Sequence, residues 1–169
     1  LNADQAALVE ASCIDLLGLE SLANKVRGFH RDSIGRVSLA DLIASQAAKP
    51  VEITERGILI IINRLFRSGM SEHELYEATR GVWKIGVKRE QATHAFAVFR
   101  GVIRGVFKIE YWEPANPSSY STRIIDPTRI ADRWQFVGAQ DADLASKYIN
   151  GSVRHLMPPN AQNPIRYLF

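Results

Sequence analysis

A single cysteine in 169 residues rules out an intrachain disulfide and a cysteine-built zinc site. That residue, Cys13, lies in an apolar periodic stretch and reads as a small buried hydrophobe, not a reactive thiol. No apolar run approaches the roughly 18 residues of a membrane-spanning helix; the longest, Ile58 to Ile62, suits a buried strand. Neither a P-loop nor GxGxxG occurs, which argues against nucleotide-dependent chemistry, and no cofactor is expected. There is no GxSxG elbow, so Ser118, Ser119 and Ser121 read as turn residues. The four histidines are His30, His73, His94 and His155. They form no HExxH and no carboxylate–His pairing is read from them, so no metal site is expected. A site assembled from scattered carboxylates stays open on spacing alone. The chain begins at Leu1, which implies that a start residue or tag once preceded it, and no signal peptide follows. With its one cysteine, the chain is expected to be cytoplasmic.

What is present is ordinary for a globular chain: 46% hydrophobic and 23% charged residues, with a net charge of +3. The charge is unevenly placed. From Arg80 to Lys108 the cations Arg80, Lys84, Lys88, Arg89, Arg100, Arg104 and Lys108 face one acid, Glu90. Local density of this kind attracts phosphate.

The first fifty residues read as helical. Ala6, Leu8, Val9, Ile14, Leu16 and Leu17 give one amphipathic face, Glu20 to Val26 gives a second short helix, and Ser38 with Asp41 opens a third. These helices would be a helix-turn-helix element or a packing or dimerisation appendage. Lys49-Pro50 is the expected boundary, giving an appendage over 1–50 and an α+β domain over 51–169.

Beyond it, Gly57 to Asn63 is apolar on both faces, as in a central strand. Ser71-Glu72-His73-Glu74 is a capping box opening a helix through Thr79, and Gly81 is expected to close it in a left-handed conformation. Val82 to Ile85 reads as extended. Ala95 to Phe99 and Val102 to Ile109 flank Arg100-Gly101, a tight hairpin signal. Alternation would put Val102, Arg104, Val106 and Lys108 on a cationic face and Ile103, Gly105, Phe107 and Ile109 on a core face. Gly105 marks a bulge or a close backbone approach. Pro114 to Pro127 reads as a long loop, Arg133 to Val137 as a strand, and Asp141 caps a helix to about Ile149. A polar turn, Pro158 to Pro164, precedes a last strand from Ile165 to Phe169. The fold class is thus α+β, with a helical segment followed by a twisted, mostly antiparallel sheet.

The string Leu75-Tyr76-Glu77-Ala78-Thr79-Arg80-Gly81-Val82-Trp83, the hairpin with Trp112, then Phe136-Val137-Gly138, Tyr148-Ile149 and Asn163-Pro164-Ile165-Arg166-Tyr167 resemble an uncharacterised bacterial family over roughly Val51 to Phe169. That resemblance implies no chemistry. A more distant likeness is to PUA-like domains, which include the ASCH and EVE modules. It rests on a short helix before a strand, a hairpin with Val-Gly-apolar patterning, and Trp or Arg residues near a barrel mouth. It implies a small, partly closed barrel that binds RNA or modified DNA bases.

The leading expectation is therefore a nucleic-acid-binding module that reads a modified or unpaired base. Arg80, Lys84, Lys88, Arg89, Arg104 and Lys108 would contact phosphate, and Trp83, Trp112 and Trp134 would stack on bases. Tyr76, Arg80 and Trp83 would line a base pocket, with Asn160, Gln162 and Asn163 as edge readers. Two alternatives stand beside it. One is a nuclease or base-excising enzyme, although Lys108-Ile109-Glu110 reverses the order a magnesium nuclease needs. The other is an interaction subunit that forms a homodimer through the N-terminal helices.

Overall fold

The computed structural model describes residues 39–157 and 163–169. The expected helices before Leu39, the cap at Ser38 and most of the turn from Pro158 lie outside the described residues. Ala40–Phe169 forms one compact unit.

Three α-helices, six strands and four short 3-10 turns order the described residues. In chain order they are α1 (Leu39–Ala47), β1 (Gly57–Ile61), α2 (Glu72–Arg80), β2 (Gly81–Trp83), β3 (His94–Phe99), β4 (Val102–Pro114), β5 (Trp134–Gln140), α3 (Ala142–Tyr148) and β6 (Ile165–Tyr167). The strands form one mixed, curled half-barrel sheet in the order β2-β5-β4-β3-β1-β6. All pairs are antiparallel except β1 with β3. The fold is α+β, and among the described residues no helix is long and apolar enough to cross a membrane.

Period-2 alternation supplies two cores, one on each face. Ile58 and Ile60 of β1, Ala95 and Ala97 of β3, and Phe107 of β4 face one core, where Leu75 and Tyr76 of α2 pack. Leu59, Phe96, Val98, Ile103 and Val106 face the other, closed by Leu144, Ala145 and Tyr148 of α3. Small residues seat α2: a Cβ on Gly105 would lie 2.9 Å from Leu75 Cδ2. Gly105 thus marks the close approach read from sequence, and a bulge sits beside it, where the β3–β4 register shifts between Ala97 and Val98.

Local chemistry sets the element ends. Ser71 Oγ accepts from Glu74 N while Ser71 N donates to Glu74 Oε2, which completes the capping box. Asp141 Oδ1 accepts from Leu144 N at the start of α3. Arg100 and Gly101 both take positive φ, 50° and 80°, as a two-residue primed turn requires.

Two expectations are corrected. Gly81 has φ 178°, fully extended, because it leaves α2 directly into the β2–β5 pairing opposite Gln135. And β4 has no cationic face. The bulge removes Arg104 from the alternation, so Ile103 and Val106 both enter the α3-side core. Val102 and Val106 are wholly buried, leaving only Lys108 of that set exposed. β4 also runs past Ile109 to Pro114, with a second register shift between Ile109 and Tyr111. A Cβ on Gly138 there would collide with the Lys108 carbonyl oxygen.

Candidate nucleic-acid interface

The cations that lie close in sequence separate into distinct places in the fold. Arg80 leaves the last turn of α2 and is 8% exposed. Its Nε donates to Phe136 O at 3.1 Å, and its two terminal nitrogens reach Ser119 O and Glu113 Oε1. The guanidinium lies between the rings of Tyr76 and Tyr120, at 5.2 and 5.4 Å. The Tyr76 hydroxyl accepts from Gly138 N, and burial raises its pKa. Arg80 thus spends its Nε and one contact from each terminal nitrogen on partners within the chain, and the Tyr76 hydroxyl accepts from the chain as well.

One turn earlier on α2 stands Glu77, which the sequence reading passed over. Its carboxylate is 1% exposed. It accepts from Ser121 N at 2.7 Å, Thr122 N at 2.8 Å, and both side-chain hydroxyls. Burial works to raise its pKa, but the Thr122 hydroxyl and the two backbone N–H groups outweigh that and hold it at about 2. Glu77 and Arg80 therefore pin the long loop between β4 and β5. His73 Nε2 lies 2.9 Å from Ser121 Oγ and 3.2 Å from Glu77 Oε1. This is a carboxylate–His pair at helical spacing, contrary to the reading of the histidines. A nucleophile relay divides its two contacts between the two ring nitrogens; here one nitrogen faces both groups, so the trio works as a clasp. The sequence signals for it are the four-residue spacing of His73 and Glu77 on one helix and the hydroxyl residues Ser121 and Thr122 in a distant loop.

Lys88 and Arg89 form a second group near β6. Lys84 is exposed. Lys88 Nζ donates to Phe169 O at 2.6 Å and lies over the rings of Tyr167 and Phe169. Arg89 is 7% exposed, lies 3.4 Å from the centre of the Trp134 ring, and pairs with Glu90. Trp83 donates its indole N–H to Thr79 O and packs on the α2-side core. Trp112 is 8% exposed and meets Phe136 edge-on within that core. Lys108 stands alone on mid-β4, opposite His94 and Ala139. Asn163 Oδ1 accepts from Ile165 N and so caps β6. Asn160 and Gln162 lie outside the described residues.

The third group was only partly read from sequence. At the β3–β4 turn, Arg100 N donates to Asn63 Oδ1 at 2.8 Å, which ties the turn after β1 to the hairpin. On the other side Val153 N donates to Gly101 O, and Arg154 Nε donates to Arg100 O. Arg64, Arg100 and Arg154 are exposed on these three converging segments. Beneath them Phe66 and Phe99 stack at 4.3 Å, and the Arg104 guanidinium covers both rings at 5.5 and 5.9 Å. Arg67 is engaged by Glu74. The segments 57–71, 91–109 and 144–169 contain no aspartate or glutamate at all. Acid-free stretches mark the three segments in the sequence, and the fold brings them together.

No protein-family model, curated protein or solved structure matches the chain.

Proposed function

We propose that this chain is a nucleic-acid-binding module of PUA-like type, acting in the cytoplasm, and that the phosphate backbone docks at the β3–β4 turn. The observation that carries this reading is the convergence of three acid-free segments, which present Arg64, Arg100 and Arg154 on one end of the sheet. Arginine forks bind phosphate with two parallel hydrogen bonds, and each phosphate neutralised releases condensed counterions. The turn supporting these forks is braced from both sides by Asn63 and Val153, so little ordering is needed on binding. The contact surface thus lies away from Tyr76, Arg80 and Trp83, whose polar groups already have partners within the chain.

The test is a salt series of equilibrium binding to DNA and to RNA. Affinity should fall linearly with the logarithm of salt concentration, and the double variant Arg100→Gln/Arg154→Gln should shallow that slope by about 2. Absence of affinity for both polymers at low salt would end the proposal.

A further inference from the structure

We infer that this surface recognises the backbone of a duplex, independently of base sequence, and does not bind unstacked single strands. The inference rests on the proposed nucleic-acid reading and goes one step beyond it.

Proteins that hold single strands pair a basic groove with ring faces on which bases stack. At the turn the two rings that could do so are Phe66 and Phe99. They stack on each other, Phe99 is 7% exposed, and Arg104 lies over both. The three tryptophans are similarly committed: Trp112 is in the core, Trp134 lies under Arg89, and Trp83 is tied to Thr79. Among the described residues, the arginine surface therefore offers charge without a free ring face for stacking.

The geometry also argues against reading base edges. A β-ribbon that enters the major groove must stand clear of its sheet. Here the hairpin is flanked along its length, by β1 through the pairing Ile61 with Val98 and by the Arg154 turn through Gly101. Its tip is held to Asn63 through the Arg100 N–H, which opposes insertion as a free ribbon. Arginines carried on three backbone segments tied to one another suit the dense, regularly spaced phosphates of a double helix, which carries one charge per roughly 1.7 Å of axis.

The experiment compares a short DNA duplex, a shuffled-sequence duplex and an oligothymidine strand of equal length by fluorescence anisotropy at matched salt. The duplexes should bind within about twofold of one another and about tenfold or more tighter than the single strand. Phe66→Leu should leave the preference unchanged, whereas Arg154→Gln should weaken both duplexes equally. A single strand that binds more tightly, and loses that advantage in Phe66→Leu, would overturn the inference while leaving the proposed function standing. A strong preference for one duplex sequence would do the same. No binding to any of the three would remove the proposed function and the inference together.

Discussion

Thr122 gives both its backbone N–H and its hydroxyl to the buried Glu77 carboxylate, joining α2 to a loop that the chain reaches only after β4. A glutamine at this site presents an amide N–H₂ where four donors converge, leaving buried donors unmet. Glu77→Gln is expected to cost about 3 kcal/mol in urea unfolding at neutral pH.

The same carboxylate sets an acid limit. Its pKa in the fold is about 2 against an ordinary 4.5, and Glu55 is held at a similar value. At Glu55 burial opposes the shift, and the Tyr148 hydroxyl is the strongest of the hydrogen bonds that bring the pKa down. Groups with depressed pKa values add stability that is complete above about pH 4.5 and is lost as pH falls towards 2. Each is expected to contribute on the order of 3 kcal/mol across that window. Stability measured against pH should therefore fall steeply there, and Glu77→Gln should flatten the curve.

Two tyrosines should respond oppositely to loss of their hydroxyls. Tyr148 Oη donates to Glu55 Oε2 at 2.6 Å, whereas the buried Tyr120 hydroxyl has no hydrogen-bond partner among the described residues. Tyr148→Phe should lower stability by about 2 kcal/mol, and Tyr120→Phe should be neutral or slightly stabilising. Thermal denaturation of the two variants side by side checks this.

At the hairpin, stability and the proposed binding should part company. Arg100 sits at φ 50°, a conformation asparagine tolerates better. Arg100→Asn should raise stability by about 0.5 kcal/mol while lowering duplex affinity. Gly101→Ala should do the reverse of the first: at φ 80° its Cβ would strike Arg154 Cγ, and a loss of about 2 kcal/mol is expected.

What was legible in the sequence was local. The Ser71 capping box, the Arg100-Gly101 turn and the Asp141 cap each depend on residues a few positions apart, and each appears as read. Gly81 was misjudged because the end of α2 is decided by pairing with Gln135, far along the chain. The face assignment of β4 failed at one inserted residue, since a bulge at Arg104 reverses every side chain beyond it. For the candidate site, composition showed that cations abound but not where they gather. Arg104 was singled out, yet Arg64 and Arg154 join it only because the β1 and Gly151–Arg154 turns meet the hairpin. The spacing of His73 and Glu77 was visible, but not the role of Glu77, because its partners Ser121 and Thr122 come from a loop far along the chain.

The absent carbon at Gly105 acts as a shim beneath α2. Leu75 rests against that position, and two residues further along the helix Glu77 grips the long loop. The height of the helix above the sheet is thus the height of the loop as well. A methyl group added at position 105 would lift a segment that it never touches, which makes the strand interior and the loop's anchor a single mechanical assembly.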